Sequence, residues 1–206
     1  MTGLFVVVEG PEGAGKSTLS RELERRLVAA GHPVVSVREP GGTPLAEAAR
    51  RAVLDPALHA SPAAELFLML TARADLVEKT IRPGLAAGKV ILSDRFDLST
   101  MAYQVAGRGL PAEVVRSANA LATGGMVPDL TLVLDVTDGV GSGRQATAGK
   151  ARDRMEREDD GFHARVNAAY RAAKGPGVVH LDAELPAAQV ADAAWAELVA
   201  RLGAGR

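Results

Sequence analysis

Cysteine is absent from this chain of 206 residues, which removes disulfides and thiolate-held metals from consideration. Aromatic residues are scarce, at 3%, so Val, Leu, Ile and Ala have to build the core. Neither sign of charge dominates: 24 Lys and Arg stand against 25 Asp and Glu, a formal net charge of -1. A general nucleic-acid binder carries a basic excess, so the balance argues against that class while leaving room for a local basic pocket. Long apolar runs are missing as well. Leu4–Val8 is short, and no stretch approaches the roughly 18 residues of a membrane helix. The start also lacks the basic region and cleavage site of a signal peptide. These absences together predict a cytoplasmic protein with neither membrane nor nucleic acid as partner.

What is present is an alternation. Apolar, β-branched runs occur at Leu4–Val8, Pro33–Arg38, Lys89–Ser93, Leu130–Val136 and Val178–Leu181. Each is continuous rather than alternating with polar residues, the pattern of parallel strands covered on both faces. Helical patterns lie between them. Lys16–Ala30 carries Leu19, Leu23 and Leu27 on one face and ends at Gly31. Pro62–Leu76 follows Ser61 as an N-cap. Ser99–Ala106, Ala112–Ala122, Phe162–Ala173 and Ala187–Leu202 complete the set. Strand–helix alternation over one domain-sized chain predicts a doubly wound α/β fold with right-handed crossovers. The Gly-rich stretch Gly139–Gly149 reads as a mobile loop.

The first strand runs into Gly10-Pro-Glu-Gly-Ala-Gly15-Lys16-Ser17-Thr18. This fits the phosphate-binding pattern G-x-x-x-x-G-K-[ST] in its strand–turn–helix context. Glycines allow successive N–H groups to turn toward phosphate oxygens, and the helix N-terminus adds positive potential. Gly10, Gly13, Ala14, Gly15, Lys16, Ser17 and Thr18 are therefore expected to bind ATP. Lys16 is expected on the β- and γ-phosphates and Ser17 on Mg²⁺. The motif alone leaves a kinase, an ATPase and a GTPase open. An Asn-Lys-x-Asp guanine motif is not found in the sequence, which disfavours the last.

Further segments narrow the choice: Glu9 and Glu12 around the loop, Arg38-Glu-Pro-Gly-Gly-Thr43, Asp94-Arg95-Phe96, Asp97-Leu-Ser-Thr-Met-Ala-Tyr103-Gln104, Asp129-Leu-Thr-Leu-Val-Leu-Asp-Val136 and Arg152-Asp-Arg-Met-Glu156. In this order they resemble the thymidylate kinase family, over residues 4 to about 183. The resemblance implies a P-loop NTPase fold with a five-stranded parallel sheet flanked by helices, one kinase domain over residues 1–206, and a mobile lid over about 141–155. It implies transfer of the γ-phosphate of Mg-ATP to dTMP in a homodimer formed through helices near residues 62–122. By the same resemblance Lys16, Asp94, Arg95, Lys150 and Arg152 are the catalytic set, and Ser17, Asp94 and Glu9 hold the metal. Arg144 joins the ATP site, and which of Arg144, Lys150 and Arg152 touches the phosphates stays open. The acceptor site comprises Glu12 for the 3′-hydroxyl, Arg38 and Arg95 for the phosphate, Met69 and Arg73 for the base, Thr100 and Gln104 at the pyrimidine edge, Tyr103 against the 2′ position, and Asp153 and Glu156.

The residues carry their own argument. Ligands of open parallel sheets sit beyond the carboxyl ends of the strands, where Glu9, Arg38, Asp94 and Asp135 all fall. An acceptor that is itself a phosphate needs cationic clamps, and guanidinium suits bidentate binding. Where the family carries a stacking aromatic, four residues before Arg73, this chain has Met69, with Phe67 on the far side of the helix. Arg154 and Glu158 have the spacing of a salt-bridged helix start. A kinase for UMP, CMP or AMP and a non-catalytic nucleotide-binding regulator remain the alternatives at this stage.

Overall fold

Apolar runs with no polar side require cover on both faces, and the fold supplies it. The computed structural model of the chain describes residues 3–137, 141 and 153–204. Its strands are β1 (Leu4–Glu9), β2 (Val34–Arg38), β3 (Val90–Asp94), β4 (Leu130–Asp135) and β5 (Val178–Asp182). They form one parallel sheet in the order β2-β3-β1-β4-β5.

Successive side chains of a strand point to opposite faces, so β1 serves two cores. Phe5 and Val7 pack with Leu76, Val77, Ile81, Ile91 and Phe96. Val6 and Val8 belong to the opposite core, with Leu19, Leu23 and Leu27 of α1 (Lys16–Ala29). The C-terminal helix over Ala187–Ala204 adds Val190, Ala194 and Leu198 to that layer. Register levels the strand ends: Asp94 of β3 pairs with Val8 on one side and Arg38 on the other, and Glu9 pairs with Val133. The phosphate-binding loop leaves β1 at this edge, where the chain changes direction across the sheet.

All five strands fall within a residue or two of the sequence expectation, as does the helix over Ala112–Thr123, but the other segments between β2 and β4 differ from it. A helix not foreseen, α2 (Pro44–Leu54), follows β2, and its N-cap Thr43 accepts a hydrogen bond from the Ala46 N–H at 3.1 Å. Its buried face is Ala46, Ala49 and Val53; such small side chains give little apolar periodicity. Helix α3 (Pro62–Leu76), capped by Ser61 as expected, does not stop at Leu76. It continues through a wide π turn, Val77–Ile81, into α4 (Arg82–Ala86), which keeps Val77 and Ile81 buried against the sheet. In place of a regular helix over residues 99–106 there is a single turn, α5 (Asp97–Thr100), and a π segment, Met101–Gly107. Such wide turns recur at functional sites, and this one carries Tyr103 and Gln104. Helix α6 (Ala112–Thr123) ends at Gly124 in the left-handed conformation, and α7 (Asp160–Arg171) is capped by Asp159. The C-terminal helix is α8.

Candidate active site

The loop after β1 needs backbone conformations that side chains oppose. Gly10 has φ 138°, and a Cβ there would lie 2.8 Å from the Leu134 carbonyl oxygen. Gly15, at φ 96°, turns the chain into α1 as its N-cap. Lys16 folds back so that its Nζ donates to the Pro11 carbonyl at 2.7 Å. It is only 7% exposed, and burial, aided by the neighbouring Arg95 cation, lowers its pKa to about 8. Ser17 Oγ donates to Asp94 Oδ2 at 2.8 Å. A hydroxyl and a carboxylate thus meet beside the anion cradle.

Arg95 follows Asp94 in a conformation rare for a residue with a side chain, φ 77°. Its guanidinium meets Glu12 and donates to Tyr170 Oη at 2.9 Å and Ser99 Oγ at 3.1 Å. Burial works to raise the Glu12 pKa, but Arg95 and then Lys16 outweigh it and bring the carboxyl to about 2. Tyr103 Oη also donates to Glu12, at 3.2 Å, and its ring lies under Arg95.

A cavity of about 840 Å³ opens above these groups. Among the residues around it are Glu12, Lys16, Ser17 and Asp94 at the loop, and Arg38, Arg50 and Arg95 on its cationic side. Burial and then the Arg38 charge, with a smaller contribution from Arg95, lower the Arg50 pKa. Three guanidiniums around one hollow suit an anion of high charge density. A second hollow of about 570 Å³ adjoins the loop at Gly13, Ala14, Gly15 and Thr18 and is walled by Leu185, Ala187 and Ala188.

The wall of the larger cavity around Arg73, Glu39 and Thr100 is polar. Arg73 is 3% exposed, and all three of its nitrogens are engaged. Nε donates to Glu39 at 2.7 Å, Nη1 to Thr100 Oγ1 at 2.7 Å and to Asn119 Oδ1, and Nη2 to the Phe96 carbonyl at 2.8 Å. Buried Glu39 takes this contact on Oε2 alone, and its Oε1 has no partner among the described residues.

A thymidylate kinase family model matches residues 8–194. The thymidylate kinase of Deinococcus radiodurans is 44% identical over 202 residues, covering 97% of this chain and 98% of that protein. The thymidylate kinase of Thermomicrobium roseum is 44% identical over 206 residues, covering 98% and 97%. That of Ectopseudomonas mendocina is 48% identical over 179 residues, covering 85% of each.

The chain belongs to the thymidylate kinase family.

With the family in hand, the expected site residues sort by position. Glu12, Gly13, Gly15, Lys16, Ser17, Thr18, Arg38, Met69, Arg73, Asp94, Arg95, Thr100, Tyr103, Gln104, Asp153 and Glu156 all line the larger cavity. Gly10 and Ala14 are buried in the loop behind it. Glu9, expected at the metal, does not line the cavity. It is fully buried, and its carboxylate accepts from the Phe96 N–H at 2.8 Å, the Ser99 N–H at 3.0 Å, Ser99 Oγ at 2.7 Å and Tyr170 Oη at 3.2 Å. Burial raises its pKa despite the Arg95 charge, and Glu9 holds the turn that aims Arg95. Asp135, at the carboxyl end of β4, does not line the cavity and pairs with His180 at 2.9 Å. Phe67 is 63% exposed and outside the cavity, while Met69 lines it. Arg154 does not open a helix with Glu158: it bonds Glu65 at 2.7 Å, and Glu158 pairs with Arg108. Arg144, Lys150 and Arg152, and most of the expected lid, lie outside the described residues.

Sequence reasoning missed Arg50 and Glu39, both on the cavity wall. The signal for Arg50 was present. Thr43-Pro44 is a helix start, and a helix from there turns Arg50 back toward β2, where its Nη1 donates to the Pro40 carbonyl at 2.8 Å.

Proposed function

We propose that this chain transfers the γ-phosphoryl group of ATP to dTMP, releasing dTDP and ADP, with both nucleotides meeting in the cavity above the sheet edge. The observation that carries the reading is a single hollow with a phosphate-binding loop at one end and the Arg38, Arg50 and Arg95 guanidiniums beside it. The loop amides and Lys16 hold the ATP phosphates, and the adenine end lies toward the smaller hollow. The dTMP phosphate lies among the three arginines, with Glu12 on the 3′-hydroxyl and Met69, Arg73, Thr100 and Gln104 around the base. The acceptor oxygen is already ionised, so no general base is needed. Catalysis is positioning plus stabilisation of the transferring charge. Ser17 and Asp94 are hard oxygen donors 2.8 Å apart, which suits Mg²⁺ held by one carboxylate and the substrate phosphates. When bound there, the metal neutralises charge on the β- and γ-phosphates.

The same reading makes the protein a cytoplasmic homodimer. Packed helices α3 and α6 leave Phe67, Val114 and Leu121 exposed at 63%, 60% and 87%, an apolar face suited to a second copy. The test of the reaction is ADP release from Mg-ATP with dTMP, dUMP, UMP, CMP and AMP offered singly, with Lys16→Ala as control. Fast, Lys16-dependent turnover with dTMP above the others supports it. Preference for another acceptor moves the substrate, and absence of turnover despite ATP binding overturns the kinase.

A further inference from the structure

Tyr170 sits one layer behind the acceptor site and does not line the cavity. It ends an apolar stripe of α7, with Phe162 and Val166 before it at four-residue spacing, and all three are buried in one cluster with Ala102, Tyr103 and Val133. Its ring meets the Tyr103 ring edge to face, with centres 6.4 Å apart. Packing of the ring therefore sets where its hydroxyl falls. That hydroxyl lies among three groups from elsewhere in the chain. Arg95 Nη1 donates to it at 2.9 Å, Ser99 Oγ is 2.8 Å away, and Glu9 Oε2 is 3.2 Å away. A guanidinium only donates, so Tyr170 offers it a lone pair and turns its own proton toward Ser99 or Glu9. The proton is held firmly: burial, and then the Glu9 charge, push the phenol well above its ordinary range despite Arg95.

Arg95 lies in no helix or strand, and a long side chain leaving such a position has many rotamers to choose from. Its contacts make the choice. Nη1 is taken by Tyr170, by Ser99 Oγ at 3.1 Å and, at 3.4 Å, by the Gly10 carbonyl. Nη2 faces Glu12 and Tyr103, both of which line the cavity. One edge of the fork is thus occupied by protein and the other is presented. We propose that Tyr170 is a positioning residue for the acceptor phosphate: it holds Arg95 Nη1 from behind, so that Nη2 is aimed at the place of the phosphate before any nucleotide binds. Glu9 fixes the backbone turn beneath Arg95, and Tyr170 fixes the side chain. The inference rests on the reading that the dTMP phosphate lies against Arg95.

The test uses Tyr170→Phe, which keeps the buried ring and removes only the hydroxyl. Turnover of dTMP is set beside inhibition by thymidine, the same nucleoside without the phosphate, and both are repeated in an Arg95→Ala background. A freed arginine has to be ordered again on binding, so KM for dTMP rises by about tenfold, while kcat changes less and the inhibition constant of thymidine stays within about twofold. In Arg95→Ala the hydroxyl has nothing to aim, so adding Tyr170→Phe leaves kcat/KM for dTMP unchanged. A packing defect would weaken dTMP and thymidine together and would add to the loss from Arg95→Ala; either result overturns the proposal. An unchanged KM for dTMP in Tyr170→Phe overturns it as well, because Arg95 is then held without the hydroxyl. Absence of dTMP turnover in the wild type overturns the underlying reading, and the proposal with it. Should Tyr170→Phe not fold, nuclear magnetic resonance of the ligand-free wild type decides. Separate Nη1 and Nη2 proton signals for Arg95, with Nη1 in Overhauser contact with the Tyr170 ring, support the proposal, and signals averaged as in free arginine refute it.

Discussion

Lys16 offers a measurement whose size follows from its surroundings. Its ammonium is buried beside Arg95, and its pKa sits at about 8. A bound polyphosphate supplies negative charge next to Nζ and moves that pKa back up. Below pH 8 the free protein already holds the proton, so ATP binding takes up little. Above it the proton has to come from solvent. With a free-state pKa of about 8, binding takes up about 0.1 proton per ATP at pH 7, about half a proton at pH 8 and about 0.9 at pH 9, provided the bound pKa is well above 9. The same linkage makes ATP affinity at pH 9 about tenfold weaker than at pH 7. Calorimetric titration with Mg-ATP in two buffers of different ionisation enthalpy reads the uptake directly. Lys16→Arg is the control, because guanidinium stays charged throughout: the uptake disappears whether or not affinity suffers. Equal heats in both buffers at pH 8, or an uptake that survives Lys16→Arg, would refute the assignment of this titration to Lys16.

Glu12→Gln removes a negative neighbour that raises the Lys16 pKa, so the midpoint of the ATP pH profile moves below 8; an unchanged midpoint breaks the coupling. Arg95→Lys keeps the charge but loses the fork that meets Glu12, Ser99 and Tyr170, and KM for dTMP is expected to rise more than about tenfold. Leu23→Ala empties a fully buried site between α1 and the sheet. It should cost about 3 kcal/mol, or roughly 6–12 °C in Tm, read by thermal melting. Leu121→Asp places a charge on the most exposed of the apolar residues of α6; sedimentation should show a folded monomer that melts lower than the wild-type dimer, because association stabilises the folded state.

Some of this protein was settled by local sequence. The five strands were legible because a parallel strand covered on both faces is an uninterrupted apolar run, and the order of residues along it is the whole signal. The phosphate-binding loop was legible for a related reason: its glycines, lysine and hydroxyl act within nine consecutive residues, so spacing and chemistry are one observation. Helix α2 lay at the limit, because its core face is mostly alanine and only its Thr43-Pro44 start announces it. The tertiary structure alone decided what each buried charge does. Glu9 and Glu12 are three residues apart, yet one is closed off by Phe96, Ser99 and Tyr170 while the other faces the cavity and Arg95. Arg73 reads on a helix as a base ligand and lines the cavity; that Glu39, Phe96, Thr100 and Asn119 fix its guanidinium there is decided only by the fold. Gln104 looks like one polar residue among several until Glu65 is found beneath it, 39 positions away. A charge in a folded interior takes its role from its partners, and partners distant in sequence meet only when the sheet has formed.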